Sequence, residues 1–151
     1  MGGSLDPQRI YVLNGPNLDL LGEREPQIYG TQTLADVERL CADTVDGQGV
    51  EVVCRQTAAE HQMIAWLHEA RRSCGIVINP AGFCYHSVPI LDALRLCECP
   101  IVELHISNIY RREESWRAKS ILAPATTGVI TGLGVEGYRL AVQYLLRRQR
   151  S

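Results

Sequence analysis

Short apolar segments alternate with amphipathic segments along almost the whole chain, and this alternation limits the fold more than any other feature. The apolar segments are rich in Val and Ile, and turn-forming residues follow most of them, which is typical of strands buried on both faces. Alternating strands and helices favour right-handed crossovers and a parallel sheet. We predict five strands, over residues 9–14, 50–56, 75–79, 100–106 and 126–132.

The segments between the strands carry helix signals. Thr33 followed by Asp36 is a capping box, which predicts the start of the first helix. Residues 58–73 form the second helix, and Ser87 opens the third. The inward faces of the first and last helices are predicted to be Leu34, Val37, Leu40, Cys41 and Val45, and Val135, Tyr138, Ala141 and Leu145. The whole pattern predicts an α/β fold, a flavodoxin-like doubly wound five-stranded parallel sheet with helices on both faces.

The length of 151 residues suits one domain with an ordinary core. We expect residues 1–8 to be disordered and residues 9–151 to form a single domain, in which residues 15–32 act as a lid loop. The net charge of −2 and the pI of about 6.1 give no electrostatic reason to expect a nucleic acid or an anionic membrane as partner. We also expect no membrane span, because no apolar run approaches about 18 residues. We expect no secretory signal, because residues 1–8 (MGGSLDPQ) contain no hydrophobic stretch.

The chain has six cysteines and no CxxC pair. Cys97-Glu98-Cys99 has no matching second pair, so we expect no metal site. Free thiols of this kind are typical of a reducing cytoplasm. Cys84 lies near the end of the third predicted strand, where it is either a reactive thiol or an ordinary packed side chain, and we favour the second interpretation.

Polar side chains gather where the predicted strands end. Residues 14–17 (NGPN), 79–82 (NPAG) and 103–108 (ELHISN) follow or close the first, third and fourth strands. Ligands of open parallel sheets bind beyond the carboxyl ends of the strands, so these residues predict an enzyme active site. The sequence has no glycine-rich dinucleotide or P-loop signature, which argues against both of those ligand classes.

Two pairs of residues at this predicted edge have a recognisable chemistry. Glu103 and His105 alternate on one strand, so both point to one face. A carboxylate beside an imidazole raises its pKa and suits a general acid, although a structural ion pair is the alternative. Arg24 and Tyr29 lie in the lid loop, where a guanidinium lowers the pKa of a phenol and makes it a base. The alternative for Tyr29 is an aromatic anchor for the lid.

Four segments of the chain resemble the type II 3-dehydroquinate dehydratases: LNGPNLDLLGEREPQIYG (13–30), INPAGF (78–83), VELHISN (102–108) and GVITGLGVEGYRLA (128–141). The resemblance implies a flavodoxin-like fold, no cofactor or metal, a small-molecule substrate and a homo-oligomer in which four trimers form a dodecamer. It also implies dehydration of 3-dehydroquinate to 3-dehydroshikimate, in the shikimate or quinate pathway, by anti elimination through an enolate.

The resemblance further implies catalytic roles for five residues of this chain. Tyr29 is expected to remove the proton α to the ketone, and Arg24 to activate it. His105, oriented by Glu103, is expected to protonate the departing hydroxyl group. Asn17 is expected to hold a water molecule that stabilises the enolate oxygen.

Five further residues are implied to bind the substrate. Asn79, Ser107 and the backbone N–H groups of Ile106 and Ser107 are expected to hold its carboxylate. Arg112 matches an arginine of the family that contacts the ring hydroxyls. Asp92 is expected to reach the site of a neighbouring subunit across the trimer interface.

The chain departs from the family in the part of the pocket that recognises the ring hydroxyls. Members of the family typically have the sequence NPGALTHTSV, in which the His binds the substrate. In this chain Tyr85 stands at the position of that His, and His86 follows it. The next Ser-Val pair realigns without a gap, so we expect Tyr85 to point inward and His86 to face the lid, the pocket rim or a subunit contact. A local shift of the turn would exchange the two. The loop 111–120 also holds one residue more than usual, and its Trp116 either caps the pocket or anchors the loop.

Three functions remain open at this stage. In the first, the Tyr85 hydroxyl replaces the imidazole as a donor and the chain is a 3-dehydroquinate dehydratase. In the second, a paralogue uses the same α-deprotonation machinery on another β-hydroxy or enolisable carbonyl compound, for instance in secondary metabolism. A buried polar group that faces the wrong partner changes discrimination by about 10⁴-fold, so one residue is enough for this change. The third is a non-catalytic binding protein on the same fold.

Overall fold

The computed structural model describes residues 6–23 and 25–150. Within them, the strands form one parallel sheet in the order β2-β1-β3-β4-β5. The strands are β1 (Asp6–Asn14), β2 (Glu51–Gln56), β3 (Ser73–Asn79), β4 (Ile101–His105) and β5 (Gly128–Thr131). All five predicted strands are therefore confirmed.

Helices cover both faces of this sheet, as the doubly wound prediction requires. They are α1 (Pro26–Tyr29), α2 (Leu34–Val45), α3 (Glu60–Ala70), α4 (Val88–Arg95) and α5 (Glu136–Arg150). Helices α2 and α5 pack together over one face, and α3 and α4 pack together over the other. Each face therefore has its own apolar core, and the predicted inward positions of α2 and α5 are buried or half-buried in the first of them.

The predicted caps are present in the structure. The Thr33 hydroxyl accepts a hydrogen bond from the Asp36 backbone N–H at 3.2 Å, and the Asp36 carboxylate accepts one from the Thr33 N–H at 2.9 Å. Ser87 caps α4 by accepting from the Ile90 N–H at 3.2 Å. These bonds satisfy backbone donors that a helix start leaves without partners.

Two element boundaries differ from the prediction by three residues. Helix α3 ends at Ala70, not at residue 73, which belongs to β3, and the other difference is at the start of the chain. Strand β1 begins at Asp6, whereas the sequence predicted residue 9, and the pairing of Asp6 with Ser73 extends it beyond a register shift. This extension depends on hydrogen bonding between backbones, which cannot be recognised from the apolar residues by which the strand was predicted. Residues 1–5 of the segment expected to be disordered lie outside the described residues.

The strand order places a crevice between β1 and β3. From β1 the chain crosses to β2 on one side, and β3 lies on the other side, so this is the topological switch point of the sheet. The backbones at the two strand ends meet closely: the Gly15 N–H donates to the Asn79 carbonyl at 2.8 Å. A Cβ atom on Gly15 would lie 2.4 Å from the Pro80 carbonyl oxygen, so this approach requires glycine.

Two further predictions, on membrane-spanning helices and on the state of the cysteines, can be compared with the structure. Among residues 6–23 and 25–150, no helix combines the length and the apolar character needed to cross a membrane. All six cysteines are free thiols.

Candidate active site

A cavity of about 350 Å³ lies beyond the carboxyl ends of β1, β3 and β4. Its volume is within the range of about 300–1,000 Å³ that is usual for small-molecule sites. The predicted convergence of polar residues at this edge is confirmed. The lining includes Asn17, Tyr29, Asn79, Tyr85, His86, His105, Ile106, Ser107, Arg112, Trp116 and Arg117.

Glu103 and His105 form a hydrogen-bonded pair behind the cavity wall. The His105 Nε2 atom lies 2.5 Å from the Glu103 Oε2 atom, which confirms that the two side chains share a face of β4. Glu103 is fully buried and His105 is 6% exposed, and only His105 of the two lines the cavity. A carboxylate bound to Nε2 fixes the orientation of the ring, so that His105 is held at the cavity in one position.

Tyr29 and Arg112 meet at the opposite side of the cavity. The Arg112 guanidinium donates to the Tyr29 hydroxyl at 3.1 Å and to the Ser107 hydroxyl at 3.1 Å. The same guanidinium lies 5.8 Å from the centre of the Tyr29 ring. Arg112 therefore supplies a cation next to the phenol. Arg24, the arginine predicted for this task, lies outside the described residues.

A buried tyrosine connects the ends of β1 and β3. The Tyr138 hydroxyl donates to the Asn14 side-chain oxygen at 2.6 Å and accepts from the Asn79 side-chain amide at 2.8 Å. Burial raises the pKa of Tyr138, so its hydroxyl remains a proton donor. The Asn79 side-chain oxygen also accepts from the Ala81 N–H at 3.3 Å. Asn79 is thus held on both sides before any ligand arrives.

Replacing Tyr138 with Phe should lower the free energy of unfolding by about 1–3 kcal/mol, because Asn14 would keep a buried oxygen without its donor. Chemical denaturation of the variant and the parent protein measures this difference. Tyr144→Phe is the matched control, since Tyr144 is 37% exposed on the same helix. Equal losses in the two variants would show that the buried network contributes nothing.

Asn17 enters the cavity through an unusual backbone conformation. Its φ of 72° lies in the left-handed region, which Asn tolerates better than most residues. This conformation starts the short 3₁₀ turn Leu18–Leu20, in which Leu18 is buried. The Asn17 side chain itself is exposed at the cavity, as the position of a water-binding residue requires.

Tyr85 and His86 both line the cavity, but they occupy different environments. Tyr85 is half-buried, whereas His86 is exposed. Burial, followed by the neighbouring Cys84, raises the pKa of Tyr85 to about 12. The phenol is therefore protonated, and it donates its proton to the Arg117 backbone carbonyl at 3.1 Å.

The loop 111–120 completes this wall of the cavity. Trp116 meets the Tyr85 ring edge to face, with 4.9 Å between ring centres. The Arg117 guanidinium lies 4.5 Å from the centre of the Trp116 ring and also pairs with Glu114 at 3.2 Å. Trp116 thus both lines the pocket and holds its loop, so the two predicted alternatives are both correct.

One predicted residue does not lie at this cavity. Asp92 is exposed on α4 and is not among the residues that line it. This position agrees with the expectation that Asp92 serves a neighbouring subunit and does not test it.

Sequence reasoning missed two contributions to the site. Tyr138 was assigned to the core face of the last helix, and its periodicity gives no sign that its hydroxyl joins two strand ends. Arg117 was not identified because its loop carries several arginines and no pattern that separates them. A tyrosine at a fully buried position is the one available signal, since buried phenols usually have a hydrogen-bond partner.

Comparisons with known proteins agree with this geometry. Residues 8–146 match the family model described as Dehydroquinase class II. The chain is 52% identical over 143 residues to the 3-dehydroquinate dehydratase of Salinispora arenicola, covering 94% of this chain and 99% of that protein. It is also 52% identical over 141 residues to the 3-dehydroquinate dehydratase of Rhodopseudomonas palustris, covering 92% and 93% of the two chains.

Two solved structures extend the comparison. The type II dehydroquinase of Propionibacterium acnes superposes with a TM-score of 0.88 at 44% identity, covering 95% of this chain and 99% of that chain. A 3-dehydroquinate dehydratase-like protein of Bifidobacterium longum has a TM-score of 0.72 at 31% identity, with the same coverage of 95% and 99%. Both the match over residues 8–146 and these identities show that the chain belongs to the class II dehydroquinase family.

Proposed function

We propose that this protein is a hydro-lyase that removes water from 3-dehydroquinate to give 3-dehydroshikimate. The observation that carries the proposal is the placement of two proton-transfer groups at one cavity, a phenol beside a guanidinium and an imidazole beside a buried carboxylate. A β-hydroxyketone loses water when a base removes the α proton and an acid protonates the leaving hydroxyl group. Family membership supports this substrate.

Tyr29 acts as the base in this mechanism. The Arg112 guanidinium donates to its oxygen at 3.1 Å and so places a positive charge beside the oxygen that takes the proton. The phenolate takes the proton α to the ketone, and the electrons of that C–H bond form the enolate. Asn17 holds the water molecule that donates to the enolate oxygen, and Arg24 closes over the site with the lid loop 15–32.

His105 acts as the acid. Its Nε2–H donates to Glu103, so Nδ1–H is the proton that it passes to the departing hydroxyl group, which leaves as water. The enolate then collapses to the conjugated ketone. The proton taken by Tyr29 exchanges with solvent, and His105 takes up another, so the enzyme returns to its starting state.

Binding of the substrate carboxylate is assigned to the ends of β3 and β4. Asn79 and Ser107 line the cavity side by side with Ile106, and their polar groups are held by Tyr138 and Arg112. Preorganised donors of this kind bind an anion without first losing side-chain freedom. The backbone N–H groups of Ile106 and Ser107 complete the carboxylate site.

The experiment that tests the proposal is turnover of 3-dehydroquinate by the purified oligomer. We expect a growing ultraviolet absorbance from the conjugated enone of 3-dehydroshikimate, and proton NMR identifies the product. Absence of turnover in a folded oligomer would overturn the assignment of this substrate.

A second enzymatic function has a specific observation in its favour. The single proton of the Tyr85 hydroxyl is donated to the Arg117 carbonyl, so Tyr85 offers a ligand only an acceptor. A family histidine at this position can donate instead. The wall built from Tyr85, Trp116 and Arg117 therefore suits a substrate that donates a hydrogen bond there, which includes another β-hydroxy carbonyl compound.

Tyr85→His separates the two enzymatic functions. If 3-dehydroquinate is the substrate, kcat/KM for it should be preserved or rise, by up to about 10-fold, because the histidine supplies a donor to the ring hydroxyl. Steady-state kinetics of the variant measures this. Tyr110→His is the control, since Tyr110 is 66% exposed on the neighbouring loop. A collapse confined to Tyr85→His would show that Tyr85 recognises a different compound.

The same proposal includes the assembly and its compartment. In this proposal, residues 9–151 form one domain and three chains form a trimer. Four trimers form a cytoplasmic dodecamer, in which Asp92 serves the active site of a neighbouring subunit. The exposed position of Asp92, away from its own cavity, and the six free thiols support this arrangement. Light scattering after size exclusion measures the mass, and a monomer with full activity would overturn it.

A further inference from the structure

Cys84 brings a third metal-binding group to the Glu103–His105 pair. It lies on the 3₁₀ turn Ala81–Tyr85 that follows β3, and its side chain is fully buried. One donor atom each from Cys84, Glu103 and His105 lie within 4.8 Å of one another. The proposed dehydration uses Glu103 and His105 but leaves the thiol without a role.

The second feature of this cluster is an uncompensated carboxylate oxygen. Glu103 uses Oε2 to bind His105, whereas Oε1 has no hydrogen-bond partner within the described part of the chain. Glu103 is fully buried, so water does not solvate this oxygen from outside. A buried carboxylate oxygen without a hydrogen-bond partner is unfavourable, and a bound cation is one way to compensate it.

The donor set selects the kind of cation. A thiolate, an imidazole and a carboxylate are ligands of Zn²⁺ and of related borderline-soft divalent ions, whereas Mg²⁺ and Ca²⁺ prefer oxygen. Three protein ligands leave a fourth position for water, and His105 faces the cavity where that water would lie. Donor atoms that share a tetrahedral zinc ion are roughly 3.3–3.8 Å apart, and the donor atoms of this cluster lie within 4.8 Å of one another.

We propose that Cys84, Glu103 and His105 form an inhibitory site for Zn²⁺, which enters from the active-site cavity past His105. Binding releases to solvent the thiol proton and, from a doubly protonated His105, one ring proton, so His105 is a neutral ligand and one thiolate and one carboxylate balance the two charges of the ion. The ion also takes Glu103 and His105 away from each other. Inhibition, though not binding, rests on the proposed dehydratase function, because it follows from the loss of the proton donor.

The state of the thiol without metal is consistent with this site. Burial, followed by the charge of Glu103, raises the pKa of Cys84 to about 12. The thiol is therefore protonated and unreactive toward alkylating reagents near neutral pH. A metal ion competes with that proton, so binding should become tighter as the pH rises from 6 toward 8, on the order of 10-fold per pH unit while a single proton is displaced.

Titration with Co²⁺ tests binding directly, because a thiolate ligand gives a charge-transfer band in the near ultraviolet. The background is a Cys54→Ser/Cys97→Ser/Cys99→Ser protein, since Cys41 with Cys54 and Cys97 with Cys99 are two pairs of neighbouring thiols that would compete for the metal. We expect the band in this background and its loss when Cys84→Ser is added. Cys84→Ala is the second variant, and circular dichroism verifies that each is folded.

The outcomes of this titration are decisive in both directions. Loss of the band in both Cys84 variants supports the site, even if the protein fails to dehydrate 3-dehydroquinate, in which case only the proposed function is overturned. A band that persists without Cys84, or no band in the background protein, overturns the site.

Inhibition is measured separately with Zn²⁺. We expect chelator-reversible inhibition of dehydration that is weakened at least about 10-fold by Cys84→Ser, with turnover in metal-free buffer unchanged, because one thiolate ligand is lost. Equal inhibition of both proteins would show that Zn²⁺ acts elsewhere, and would overturn the inhibitory role.

Discussion

Tyr29→Phe should lower kcat for dehydration by about 10³- to 10⁴-fold, because it removes the group that takes the α proton. Phenylalanine keeps the ring, its packing and its contact with the Arg112 guanidinium, which lies 5.8 Å from the ring centre. What is lost is the oxygen to which Arg112 donates at 3.1 Å. The measurement is the initial rate of enone formation at saturating 3-dehydroquinate.

The control for this substitution is Tyr110→Phe. Tyr110 belongs to the same side of the molecule but is 66% exposed and does not line the cavity, so its rate should not change. Binding of the product, measured by calorimetry, should survive in both variants, because Asn79 and Ser107 remain. A Tyr29→Phe enzyme within 10-fold of the parent rate would place the base on another residue.

The sheet and its helices could be predicted because their signals are local. Apolar runs, the Thr33–Asp36 capping box and the Ser87 cap are each read within a few residues, and all three are present in the structure. The shared face of Glu103 and His105 follows from the two-residue repeat of a strand. The position of the active site follows from the same rule, since it depends on where parallel strands end.

The remaining features depend on contacts between distant segments. Nothing near Tyr138 in sequence reports that its hydroxyl joins Asn14 and Asn79. The alignment of Tyr85 with a family histidine suggested a donor toward the ligand, but the Arg117 carbonyl takes its proton. That carbonyl belongs to a loop 32 residues further on, whose course only the folded chain reveals.

His105→Asn should lower kcat for dehydration by about 10²- to 10⁴-fold, because Asn lacks a group that can pass a proton to the leaving hydroxyl. Asn keeps the position polar, although its shorter side chain gives up the hydrogen bond that Nε2 makes to Glu103. His68→Asn is the control, since His68 is exposed on α3. An unchanged rate in His105→Asn would assign the acid to another group.

Glu103→Gln separates the orientation of the imidazole from its charge. The amide oxygen can still accept from Nε2 of His105, which lies 2.5 Å from the present carboxylate, but it carries no negative charge. We expect a fall in kcat smaller than that of His105→Asn, with KM little changed, because neither variant alters the assigned carboxylate site. A fall confined to KM would mean that the pair serves binding and not proton transfer.

The base and the acid can also be distinguished from each other, because they act on opposite sides of the enolate. In heavy water, an enzyme that lacks His105 can still form the enolate reversibly, so it should exchange the α proton of 3-dehydroquinate for deuterium while it dehydrates slowly. An enzyme that lacks the Tyr29 oxygen should lose exchange and dehydration together. Proton NMR of the recovered substrate measures the exchange. If His105→Asn abolishes exchange as fully as Tyr29→Phe does, then His105 is needed before the enolate forms, and the assignment of separate acid and base roles is wrong.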